Sequence, residues 1–172
     1  RQHWLQDPRQ GGGRLIGEAC HFIDFLTWLA GAPPIRMCTR GVPDDRRYSE
    51  DNVILTLEFP GGDLGSVLYV ANGDRAYSKE RVEVFGGGRV AVLEDFRRLD
   101  TLADGRRRSW RSWLRQEKGH RQEWEALAKA IANGGPPPIP YPHLFGVALA
   151  SFAAVASLRS GEPQDVGTLT IG

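Results

Sequence analysis

Glu18, His21 and Asp24 recur every third residue in an otherwise apolar stretch; His21, with Glu18 beside it, is the side chain best suited to moving a proton, whereas Asp24 is expected to cap or position a neighbouring loop. On one helix, successive members of such a series lie roughly 60° apart, so the three share a broad face. Burying that polar stripe without partners would be costly. An imidazole titrates near neutrality, which suits it to take a proton from a hydroxyl group. Glu18, three residues earlier, could orient the ring or hold it charged; the same pair could equally be a structural contact on one helix. Gly11, Gly12 and Gly13 lead into this stretch, and without Cβ atoms their backbone can turn tightly and approach another group closely. An acid and a histidine three apart also form half of a di-iron carboxylate site. Such a site needs the pattern twice, and Tyr141 to Arg159 carries no carboxylate, so no metal is expected. Cys20 is expected to be a small packed residue.

The elements that must position these residues follow from periodicity. Arg14 to Ala30 repeats apolar residues at helical spacing and stops at Gly31 before Pro33-Pro34. Ile35 to Thr39, Asn52 to Phe59 and Leu64 to Ala71 are expected strands; Val53, Leu55, Leu57 and Phe59 fall on one face. Arg81 to Phe85 and Arg89 to Leu93 flank Gly86-Gly87-Gly88, and Phe96 to Leu102 and Arg106 to Trp110 flank Ala103-Asp104-Gly105. Both are hairpin signals. Gly119 to Ala132 is an amphipathic helix, and Tyr141 to Arg159 is apolar on several faces, as in a buried helix. The expectation is one α+β domain over residues 1–172, a mainly antiparallel open sheet of about six strands with three helices packed on one face. Ile54, Leu68 and Val70 leave the other face partly apolar, which points to a subunit interface there.

Composition narrows the function classes. A chain of 172 residues with 41% hydrophobic residues can bury a core, and its net charge of +1 gives no global attraction to nucleic acid or an anionic membrane. The longest apolar runs, such as Val147 to Leu158, fall short of a bilayer span. Cys20 and Cys38 make no disulfide framework, so a reduced, cytoplasmic setting is expected. Arg97, Arg98, Arg106, Arg107, Arg108, Arg111 and Arg115, interleaved with Trp110 and Trp113, raise the possibility of nucleic-acid binding. Acids at Glu94, Asp95, Asp100, Asp104 and Glu117 dilute that patch, and strand alternation splits it between two faces. The chain opens without Met, and a piece of a longer protein is expected.

The glycine triplet followed by Gly17-Glu18-Ala19-Cys20-His21-Phe22-Ile23-Asp24 resembles the C-terminal domain of the Gfo/Idh/MocA (glucose–fructose oxidoreductase, inositol dehydrogenase) family. Trp4-Leu5-Gln6-Asp7-Pro8, the run from Lys79 to Gly88, Lys118 to Arg121, and Ser157 to Pro163 extend the likeness. They resemble a branch often fused to a zinc-type alcohol dehydrogenase module. The resemblance implies a dihydrodipicolinate-reductase-like fold that supplies the substrate pocket and the oligomer-forming sheet. It also implies an N-terminal Rossmann domain holding NAD or NADP, and a sugar, sugar-nucleotide or cyclitol substrate. Neither Gly-x-Gly-x-x-Gly nor Glu-Lys-Pro occurs here. His21 maps onto the family's histidine, but Gly17 stands where the family often has an acid, and Glu18 comes one place later. His3 and Trp4 could stack against a sugar, Gly12, Gly13 and Gly17 could let it approach the backbone, and Lys79 could meet an anionic substituent. A non-catalytic binding or scaffold module of the same fold is the alternative.

Overall fold

In the computed structural model, described over residues 12–43, 50–74, 76–113, 116 and 118–167, the chain forms two compact units. The first runs to Asn72 and resumes at Ile139; the second is Gly73–Pro138. His3, Trp4, Gly11, Arg115 and Glu117 lie outside the described residues.

The first unit is organised by alternation. In β2 (Asn52–Glu58), Val53, Leu55 and Leu57 are buried while Ile54, Thr56 and Glu58 are exposed, because successive side chains leave a strand on opposite faces. β2 pairs antiparallel with β1 (Arg36–Gly41) and β3 (Leu64–Val70), and β1 also pairs with the two-residue β8 (Gln164–Asp165). The sheet order is β3-β2-β1-β8. Helices α1 (Cys20–Ala30) and α3 (Tyr141–Ser160) cover its inner face. The core joins Leu15, Ala19 and Ile23 to Met37, Leu55, Leu57 and the small α3 residues Ala150 and Ala154. Fully burying each leucine or isoleucine contributes about 1.5–3 kcal/mol. Small residues let α3 lie close to the strands: buried Ser157 accepts the Thr39 N–H at 2.9 Å. Gly31, at φ 75°, ends α1 by donating to the Thr27 carbonyl. The apolar stretch is longer than the Val147–Leu158 run picked out by sequence. α3 spans 20 residues at mean hydropathy 1.5, long and apolar enough by length and composition to cross a membrane, yet its inner face is part of this core.

The second unit is a meander: β4 (Arg81–Gly86), β5 (Arg89–Glu94), β6 (Arg98–Ala103) and β7 (Arg106–Arg111), each antiparallel to the next. Two-residue turns at Gly87-Gly88 and Asp104-Gly105 have positive φ at both positions, the geometry that matches strand twist. The eight strands therefore divide into two four-stranded sheets rather than one sheet of about six. The second of the expected helices also departs from expectation. α2 (His120–Ala132) contributes no buried residue, and its apolar stripe of Trp124, Leu127 and Ile131 is exposed.

Among the described residues of this unit, Asp100 alone is buried. Arg107, Ser109 (2.6 Å) and Arg98 (2.8 Å) surround its carboxylate. Alternation sorts the arginines as expected: Arg107 reaches Asp100, whereas Arg106 and Arg108 share the opposite face. The hydrogen bonds from Arg107 and Ser109, then that from Arg98, hold the Asp100 carboxyl well below the usual aspartate range. A carboxylate with a depressed folded-state pKa stabilises the fold above its unfolded value, and that contribution is lost as pH falls through the folded value. Amide exchange in β6 and β7 is therefore expected to accelerate as pH drops below about 4, beyond the intrinsic pH dependence of exchange. In Asp100→Asn this extra acid dependence should vanish. Equal acid sensitivity in the two proteins would count against the assignment.

Candidate active site

The site begins with a backbone reversal. Gly12 (φ 72°) and Gly13 (φ 86°) lie in the left-handed region, where a side chain is strained. A Cβ on Gly12 would also meet Ile16 Cδ1 at 3.0 Å. The Gly13 carbonyl accepts the Gly17 N–H at 3.0 Å. From Leu15 to Ala19 the helix is then underwound into a π turn, with the Cys20 N–H reaching back to the Leu15 carbonyl. Such one-residue expansions are rare and recur at functional sites. The chain continues into α1, which carries His21 on its exposed side.

The two acids of the stripe point elsewhere. The Tyr69 hydroxyl of β3 donates to Glu18 Oε2 at 2.6 Å, and Arg14, just ahead of the π turn, also donates to Tyr69. Arg14 Nε lies 3.9 Å from Asp51 Oδ2, a carboxylate only 3% exposed. Burial first, and then the Glu18 carboxylate, push the Tyr69 phenol up to about 12. Asp24 Oδ1 lies 2.7 Å from His143 Nε2 on the first turn of α3, so it ties two helices together rather than positioning a loop. Cys20 is half-buried, and burial raises its thiol pKa, which keeps it a thiol at neutral pH.

Of the residues singled out by sequence, Gly12, Gly13, Gly17, Glu18 and His21 share one unit and one backbone segment. Lys79 is exposed in the other unit. Lys118, also there, is engaged by Glu80 at 2.8 Å and lies over the Phe96 ring. Tyr69 and His143 were not singled out for chemistry. Tyr69 has a signal: it follows Val67 at an inward position of β3, and a buried phenol needs a polar partner. His143 has none, since it pairs with an acid 119 residues away.

A dinucleotide needs a glycine-rich turn between a strand and a helix N-terminus, where free N–H groups meet the pyrophosphate. The glycines at 86–88 close a β4–β5 hairpin instead, and Gly105 closes another. The described residues therefore do not form a dinucleotide cradle.

The first unit is thus a sheet covered on one face by helices, one of them bearing an exposed histidine after a glycine reversal. Residues 1–143 match the oxidoreductase family, C-terminal alpha/beta domain, and the chain belongs to this Gfo/Idh/MocA family. Levoglucosan dehydrogenase in complex with NADH and levoglucosan has a similar fold, with TM-score 0.80 and 22% identity over 98% of this chain and 54% of that one. Aldose-aldose oxidoreductase from Caulobacter crescentus, complexed with glycerol, gives TM-score 0.76 and 17% identity over 95% of this chain and 51% of that one. A putative NADPH-dependent oxidoreductase from Desulfitobacterium hafniense gives 0.75 and 21% over 96% and 51%. The chain thus spans about half the length of the solved structures it resembles. No curated protein sequence matches it.

Proposed function

We propose that this chain is the substrate-binding and oligomerisation half of a nicotinamide-dependent oxidoreductase acting on a hydroxyl of a sugar, sugar nucleotide or cyclitol. The observation that carries this is His21 itself, exposed at the start of α1 directly after the glycine reversal and the π turn. In that place an imidazole can take the hydroxyl proton as the carbon is oxidised. Glu18, held by Tyr69, supports it only by fixing the turn that precedes α1, and Gly12, Gly13 and Gly17 give the substrate access to backbone. The family likeness assigns His3 and Trp4 to contact with the sugar. NAD or NADP is held by an N-terminal Rossmann domain of the same polypeptide and supplies the hydride acceptor. The exposed outer face of the first sheet, with Ile54, Leu68 and Val70, is the subunit contact, and the setting is cytoplasmic. The levoglucosan bound in one of these neighbours and the name of the aldose-aldose oxidoreductase favour this substrate class.

A second reading, a non-catalytic scaffold with the same fold, is favoured by one observation. Gly17 stands at the family's acid position, while the nearby carboxylate of Glu18 is held by Tyr69. The two are separated by assaying the full-length protein with NAD+ and NADP+ against aldoses, sugar nucleotides and cyclitols, following absorbance of the reduced cofactor. Turnover on at least one class is expected, and the isolated 172-residue chain should give none. A full-length protein silent on every class, with no ligand-induced shift in melting, supports the scaffold; turnover by the isolated chain would sink the two-half scheme.

A further inference from the structure

We propose that Tyr69 is a positioning residue for His21, acting through Glu18 to hold the π turn 15–19 in the register from which α1 presents the imidazole. The proposal rests on His21 being the proton-handling group only for its catalytic consequence; the geometry stands without it.

A π turn has one more residue per hydrogen-bonded ring than an α turn, and it persists where something else compensates. Relaxing it to α would rotate the residues on one side of it by about 100° relative to the other. Here both flanks are anchored. On the inner side, Leu15, Ala19 and Ile23 are all buried in the core. On the polar side, Glu18 in the turn and Arg14 before it converge on one phenol oxygen. Arg14 reaches on to Asp51, which accepts the Asn52 Nδ2 donor at 3.1 Å. Asn52 Oδ1 in turn accepts the N–H groups of Ala71 and Asn72 at 2.9 and 3.1 Å. The anchor is thus the end of the β2–β3 ladder, a rigid element. A hydrogen bond to an ionised carboxylate is among the stronger kinds, and this one is short and half-buried. The Phe22 ring, one residue past His21, packs against Tyr69 at 6.4 Å between centroids, so the same side chain bears on both sides of the histidine. Burial is the larger cause of the raised phenol pKa, and the hydrogen bond to Glu18 adds to it.

Packing by Leu15 and Ala19 alone could also fix the register, and the test separates the two causes. Tyr69→Phe keeps the ring and deletes only the hydroxyl; Glu18→Gln keeps an acceptor for it. Full-length protein labelled with [13Cε1]histidine and 15N reports the His21 ring, assigned with His21→Asn, and the Cys20 amide. Tyr69→Phe is expected to shift both resonances and to speed exchange of the Cys20 N–H. Glu18→Gln should largely restore the wild-type pattern while bringing the Tyr69 phenol, followed by its ultraviolet titration, below about 12. In turnover, Tyr69→Phe should lower kcat by about 10- to 100-fold, with KM for the sugar changed less than about twofold. Resonances unmoved in Tyr69→Phe overturn the proposal. Resonances that move while neither Tyr69→Phe nor His21→Ala alters turnover leave Tyr69 as the anchor and overturn the catalytic role of His21 instead.

Discussion

Replacing His21 by alanine in the full-length protein is expected to lower kcat/KM by about 10²–10⁴-fold, the range for losing a positioned general base. Stability should scarcely change. His21 is exposed, the helix it starts is held by Ile23 and Thr27 in the core, and alanine is the better helix former. A melting temperature within about 2 °C of wild type, together with lost turnover, separates chemistry from folding at this scale of stability change. His21→Gln should be nearly as inactive, because an amide fills the space without accepting a proton at neutral pH. Full activity in either variant would move the proton-handling role to another group or remove it.

The second large effect concerns Gly146, in the second turn of α3. A glycine inside a helix ordinarily costs about 1 kcal/mol relative to alanine, so Gly146→Ala ought to stabilise on propensity alone. The opposite is expected. A Cβ there would stand 2.4 Å from Pro33 Cγ and 2.5 Å from its Cβ, and a pyrrolidine ring has no rotamer by which to retreat. Pro33 belongs to the turn that leads from α1 into β1, so the strain would pass to both. Overpacking of this kind costs about 1–3 kcal/mol, enough to outweigh the propensity gain. Thermal or urea unfolding should show Gly146→Ala destabilised. Gly135→Ala is the control, since a Cβ there meets nothing nearer than 3.8 Å, and it should be neutral or slightly stabilising. Equal stability of the two variants would mean that the loop at Pro33 yields freely.

How far the sequence reveals this arrangement depends on the range of the interaction concerned. The alternation of Val53, Leu55 and Leu57 is local, and it places the inner face of the first sheet correctly. Both tight hairpins announce themselves through Gly87-Gly88 and Asp104-Gly105, since those turns demand positive φ. The π turn is hidden because Leu15, Ala19 and Ile23 are spaced four apart, a spacing that an α-helix accepts equally well. Glu18 therefore reads as a neighbour of His21, whereas the structure turns it to β3. Its true partner is 51 residues away, and the partner of Asp24 is 119 away, distances at which spacing carries no information. β8 is too short to show a period, and the exposed stripe of α2 has the same pattern as a packed one.

The buried aspartate of the β4–β7 sheet has a thermal consequence. The heat-capacity change of unfolding scales with the apolar surface newly exposed to water, and polar surface lowers it. The first unit fully buries Leu55, Leu57, Met37 and Ile23 in one apolar core, whereas the meander is closed around Asp100 and its charged partners. Per residue, the meander should therefore melt with the smaller heat-capacity step. Its stability curve should be the flatter of the two, losing less than the leucine-centred unit on cooling.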